Sequence, residues 1–305
     1  MLHGINLGSG KNFLKGYGLV AMNGKSSNFL KSIRKLLRRK TAVFGMAVCL
    51  LMVLLALFGN LISPYGFDEV NTDNKLAPPS LEHWFGTDDL GRDLFSRVAY
   101  GARITLTVSI ASVAVALVLG TLIGVTAGFI GGKVDAVLSM CIEAICAFPT
   151  ILIGLTLATV LGAGITNIVF AIGIANTPAF ARLLRSMTLS IREREYIESA
   201  VTIGLNRFEI MFRHVFPNLV SVLIVQTTLA AASAILSESS LSFMGLGIQA
   251  PAASWGTMLR TGYDYMAKAP WMSIFPGIAI MLTVLSLNYF GDGLRDALDV
   301  KIRVD

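Results

Sequence analysis

Two glycine-rich stretches carry the residue types of a phosphate cradle. GLVAMNGKS, residues 18–26, ends in Gly-Lys-Ser, and GLGIQA, residues 245–250, imitates the turn of a dinucleotide fold. A cradle works when backbone N–H groups converge on the phosphate, which requires four residues between the two glycines and a strand leading into a helix. The first stretch has one residue too many and sits in a polar tail, and neither follows a strand pattern. Nucleotide binding is therefore not expected of this chain. Cys49, Cys141 and Cys146 all fall in apolar runs, where a secreted-type disulfide framework does not form, and a spacing of five positions between the last two sets them on different helix faces. They read as small buried side chains, with no metal site. Glu143 is different: it stands alone inside an otherwise uncharged apolar run. An ionisable group at that depth points to a polar path that it lines or gates, or to a pairing with a basic or amide neighbour.

The densest charge lies elsewhere, in SIREREYIESAVTIGLNRFEIMFRHVFPN, residues 190–218. Eight charged residues crowd there, in a chain that is only 14% charged. Ser190 and Glu193 have capping-box spacing, which predicts a helix start, and Gly204 is placed to end that helix in the left-handed conformation. Asn206 and Glu209 repeat the start signal. A second short helix is then expected up to Pro217, which disfavours helical backbone at Phe216 and suits the first turn of the next helix. Ile197, Val201, Leu205 and Phe208 share one helical face. A plain connection needs only a few residues and no such face, so the segment reads as a docking device.

The elements that must position these residues are apolar. Of 305 residues, 54% are hydrophobic, and the mean hydropathy is +0.68, which places the chain in a bilayer rather than in water. Residues 41–62, 104–130 and 269–290 contain no charge, 136–161 contains only Glu143, and 219–237 contains none. Each is long enough to cross about 30 Å of hydrocarbon as a helix. A weaker run, 165–187, is interrupted by Pro178 and makes six spans. Pro149 and Pro178 are expected to kink their helices. Gly120, Gly124 and Gly128 form a one-face seam for close helix packing. In residues 63–103, Leu90, Leu94 and Val98 oppose Arg92, Asp93, Ser96 and Arg97, predicting a short surface helix with an Asp93–Arg97 pair contributing about 0.3 kcal/mol.

The fold class expected is an all-α membrane protein in three parts: a basic cytoplasmic tail, 1–40; a first span and external loop, 41–103; and a five-span core, 104–305, containing the segment 190–217. The tail has no early apolar core for a cleaved leader. With both termini inside, 19 of the 25 Lys and Arg fall on the cytoplasmic side, as the positive-inside rule requires. The net charge of +6 is thereby a topology signal, and nucleic acid is not an expected partner.

Glu198, Ala200, Gly204 and Pro217 fall at the spacing of the EAA loop of permease subunits in bacterial ATP-binding cassette importers, with Ser199, His214 and Phe216 departing from it. HWFGTDDLGRDLFSRVAYGAR, FPTIL, SESSLSFMGLGIQAPAASWGTML and FPGIAIMLTVLSLNYFGDGLRDALD strengthen the likeness. The chain resembles the second permease subunit of dipeptide and oligopeptide importers over residues 41–303. The resemblance implies a type I importer transmembrane domain in the inner membrane. It also implies a homologous second permease, two ATPase subunits that bind the ATP, and an extracytoplasmic substrate-binding protein. Glu198, Ala200, Val201, Gly204, Leu205, Phe208 and Pro217 are then the ATPase-coupling residues, and Glu143 is the candidate for the translocation path. No catalytic residue or bound cofactor is implied. Nickel, glutathione or another small solute is the alternative cargo.

Overall fold

Between Lys40 and Ile62 the uncharged run forms α1, a single helix opened by the extended residue Arg39. The structure is a computed structural model and describes residues 34–298. The tail up to residue 33, with GLVAMNGKS, and residues 299–305 lie outside the described residues. After α1 come α2 (Leu94–Ile130), α3 (Gly132–Cys146), α4 (Thr150–Leu161) and α5 (Ile165–Arg192). They are followed by α6 (Glu195–Thr202), α7 (Arg207–Ile210), α8 (Phe216–Phe243), α9 (Trp255–Asp264) and α10 (Trp271–Leu298). Among the described residues there is no strand, only one isolated bridge between Thr87 and Asp93.

Five helices are long and apolar enough to cross a membrane; the sixth candidate is α3 and α4 taken together. Residues 136–161 were expected as one span with a kink at Pro149, but they break there completely, with α3 and α4 bent by 89°. Proline cannot donate to the preceding turn, and Pro149 has an extended ψ of 131°, so the ladder restarts at Thr150. Pro178, by contrast, lies buried within an unbroken α5.

Close helix contact is set by small residues. A Cβ on Gly120, Gly124 or Gly128 would come within 2.4–2.8 Å of atoms on α5, from Phe180 to Thr188. The seam is therefore internal packing, and it lets α2 lie along α5. In a bilayer this matters more than apolarity, because lipid tails are as apolar as leucine and backbone approach supplies the attraction. Val108, Ile172, Phe180, Leu184, Leu219 and Leu223 fill the space among α2, α5 and α8. A second cluster, with Leu94, Val98, Trp255, Met258 and Ile280, closes the end opposite the 190–217 segment.

The expected surface helix at Leu90–Val98 is instead the buried start of α2. Leu94 and Val98 are buried, and so are Asp93, Ser96 and Arg97. The Asp93–Arg97 pair does not form: Asp93 accepts from the Ser96 N–H at 2.8 Å as N-cap and meets His83 Nδ1 at 2.9 Å. Arg97 turns to Asp88, 3.4 Å away, and donates to the Phe67 carbonyl. Capping requires Asp93 to aim along the helix axis, which leaves it unable to reach sideways to Arg97. The cysteines also depart from expectation: Cys141 is exposed on the chain, and Cys49 and Cys146 are half-buried rather than buried.

Candidate functional site

The 190–217 segment forms where α5 ends. Ser190 does not cap a helix: α5 runs through it to Arg192, Glu193 closes it, and α6 begins only after the extended Arg194, with no side-chain cap. An N-cap needs non-helical backbone, and the ladder of a 28-residue helix keeps Ser190 helical. Gly204 does what its position predicts. Its φ is +84°, its N–H donates to Val201 O at 3.0 Å, and the Leu205 N–H donates to Ala200 O at 3.2 Å. These are the two bonds of a Schellman turn, and they satisfy carbonyls that the end of α6 would otherwise leave open.

Asn206 then caps α7, accepting from the Phe208 N–H, while Glu209 takes Arg213 at 2.6 Å instead of returning to the cap. The chain does not break at Pro217. Phe216 was expected outside the helix, but its φ and ψ are −56° and −42°. A five-residue π turn, Met211–Val215, joins α7 to α8, and the Phe216 N–H donates to Met211 O, five residues back. Widening the ladder accommodates Pro217, whose missing N–H and ring otherwise disrupt an α turn. Arg207–Phe243 is consequently one helix of 37 residues, about 55 Å long at 1.5 Å per residue.

The expected apolar face of Ile197, Val201, Leu205 and Phe208 divides. Ile197 (2% exposed), Ala200 and Ile210 are buried in the core, with Leu205 half-buried against it, whereas Val201 (59%) and Phe208 (67%) point out. Ile203 (79%) and Phe212 (67%) join them on the outside. The Schellman turn reverses the chain between Val201 and Phe208, so one helical wheel cannot describe both helices. Glu198 and Pro217 are exposed, and Gly204 has open space where a Cβ would stand. Beside this knob, Phe129, Arg192, Glu193, Glu198 and Arg207 border a groove of about 840 Å³. The arrangement offers an apolar tip bordered by charge, a surface of the kind that seats in another protein.

Glu143 lies far from this knob in sequence and stands on α3, three residues before its end and exposed on the chain. Arg185 of α5 is held by Asp135, with Nη2 to Oδ2 at 2.7 Å, and among the described residues Glu143 takes part in no ion pair. Sequence reasoning missed Ile203 and Phe212, and it missed Glu238. Glu238 is wholly buried near the end of α8 and accepts from Ser242 Oγ at 2.7 Å. Its signal was an acidic residue among serines directly after an uncharged run.

Residues 120–304 match the family described as binding-protein-dependent transport system inner membrane component. Residues 27–79 match the N-terminal transmembrane domain of oligopeptide transport permease C. The chain belongs to this family of inner-membrane permeases. It is 42% identical to the dipeptide transport system permease protein DppC of Alkalihalophilus pseudofirmus, over 91% of each chain. It is also 41% identical to the glutathione transport system permease protein GsiD of Pectobacterium atrosepticum, over 88% of this chain and 90% of that one.

Proposed function

We propose that this chain is the transmembrane subunit of an ATP-driven importer for di- and oligopeptides, and that Val201, Ile203, Phe208 and Phe212 form the tip that docks on partner ATPases. In this reading the chain lies in the bacterial inner membrane with both termini cytoplasmic. A homologous second permease completes the path, two ATPase subunits bind ATP, and an extracytoplasmic binding protein delivers the cargo. The chain itself holds no cofactor and has no enzymatic activity. The observation that carries the reading is the exposed apolar tip, set by Gly204 and joined without a break to the 37-residue helix. ATP-driven closure of the ATPases shifts the tip, and the long helix carries that motion across the membrane. The two access states differ in their affinity for ATP, which is what allows nucleotide to drive the change. Ala200 and Leu205 anchor the tip from within, Glu198 supplies a polar contact at its edge, and Pro217 sits where the tip joins α8. Glu143, exposed on α3, lines the path or meets the second permease.

The test is reconstitution of the complex in vesicles. ATP-dependent uptake of a labelled peptide should require the binding protein and both ATPases. Uptake or ATP hydrolysis by the chain alone would refute the assignment. Glutathione is a second cargo reading, supported by the similarity to the GsiD proteins; glutathione displacing peptide from the binding protein would select it.

A further inference from the structure

Glu238 is 0% exposed, and among the described residues it takes part in none of the ion pairs. A carboxyl buried among apolar helices without a cation is expensive unless hydrogen bonds satisfy it. Here hydroxyls do so. Ser242 Oγ donates to one carboxyl oxygen at 2.7 Å and Ser239 Oγ approaches the other at 3.4 Å. Thr105 of α2 and Ser254, the N-cap of α9, border the same carboxyl. The cage thus joins three helices.

The joint around it is tight. The Trp255 ring N–H donates to Val98 O at 2.9 Å, and its backbone N–H reaches Thr105 Oγ1 at 3.4 Å. A Cβ on Gly256 would stand 2.5 Å from Ser239 O. Ser254 closes a capping box with Thr257, so the start of α9 has a single defined geometry. Glu238 also belongs to the helix that begins at the tip, and α2, its partner in the cage, is likewise 37 residues long and ends beside the tip at Phe129 and Ile130. Two levers that meet the docking segment at one end are therefore tied together at the other by hydroxyl bonds, which can exchange partners more readily than interlocked apolar side chains can.

We propose that Glu238 is the positioning residue of a latch that fastens α8 to α2 and α9 at the end opposite the docking tip, and that this latch releases when that end opens. The inference rests on the importer reading above. With the latch weakened, the resting complex passes more readily into the state that the binding protein ordinarily induces. Because among the described residues Glu238 is held by hydroxyls and by no ion pair, a side chain that keeps the hydrogen bonds without charge should serve.

The experiment uses the complete complex in lipid nanodiscs, with the wild type, Glu238→Ala, Glu238→Gln and Ser242→Ala. Glu238→Ala should raise ATP hydrolysis in the absence of binding protein about fivefold or more, the lower end of ordinary coupling between two states. It should also speed hydrogen exchange at the amides of residues 254–258. Ser242→Ala should move both in the same direction by less, and Glu238→Gln should restore wild-type behaviour. Unchanged hydrolysis in an assembled Glu238→Ala complex, even with faster exchange, overturns the latch as part of the switch. A Glu238→Gln complex resembling Glu238→Ala overturns the hydroxyl cage as its basis. If Glu238→Ala does not assemble, Ser242→Ala decides by the same readouts. A wild-type complex that binding protein and peptide fail to stimulate refutes the importer reading instead.

Discussion

Gly204 illustrates how much one residue can govern at the proposed docking tip. Its φ of +84° is left-handed, and a Cβ there would meet nothing within 4 Å. The cost of replacing it is therefore conformational rather than steric crowding, about 1–2 kcal/mol for an ordinary L-residue and more for a β-branched one. Gly204→Val should redirect α7 relative to α6 and reduce ATP-driven uptake at least tenfold while the chain still inserts. Glu198→Ala removes one exposed polar contact and leaves the turn intact, so its loss should stay within about fivefold, an exposed charge contributing about 1 kcal/mol or less. Uptake and ATPase co-purification for the two variants check the ranking. A Gly204→Val complex with wild-type uptake would show that the turn is not the joint.

Among the helices, the α2–α5 seam and the 37-residue α7–α8 run place everything else. Gly124 lies so close to α5 that a Cβ would be 2.4 Å from the Ala181 carbonyl oxygen. Backbone cannot yield as a flexible side chain does, so Gly124→Val should force the two helices apart and destabilise the chain by about 1–3 kcal/mol, as overpacking does. The expected result is lower recovery of folded protein and a lower midpoint of thermal unfolding in detergent, with Gly124→Ala intermediate. The π turn acts at the same scale: by accommodating Pro217 it keeps the docking segment and the distant Glu238 on one rigid body.

For the whole molecule, exposed apolar residues mark the faces that lipid or a partner covers. Phe148, Ile151 and Leu152 around the α3–α4 break are exposed, and so are Val160 near the far end of α4 and Glu143 on α3. A charge facing a partner or a wet path is tolerable, whereas one facing lipid costs several kcal/mol. Glu143→Gln keeps the shape and removes the charge. It should lower uptake severalfold while leaving assembly and ATPase docking unchanged, measured as uptake per copy of assembled complex. Normal uptake across substrate concentrations would remove Glu143 from the path.

Apolar run lengths made the spans legible, because a helix satisfies its own backbone in hydrocarbon whatever its neighbours are. The left-handed Gly204 and the small-residue seam could be read for the same reason, since both are local demands of backbone and Cβ. What failed had in each case more than one local solution. Ser190 can cap a helix or ride inside one, Asp93 can pair with Arg97 or cap α2, and Pro217 can stop a helix or be absorbed by a π turn. The continuing ladder of α5, the aim of Asp93 along the axis of α2 and the joined α7–α8 helix settled these choices. The division of the tip, with Ile197 inward and Val201, Ile203, Phe208 and Phe212 outward, needed the reversal at Gly204 in three dimensions. Glu238 shows the limit most plainly: its sequence marks it as polar, but only the meeting of α2, α8 and α9 buries it among hydroxyls, because a cage built across distant segments exists only after they pack.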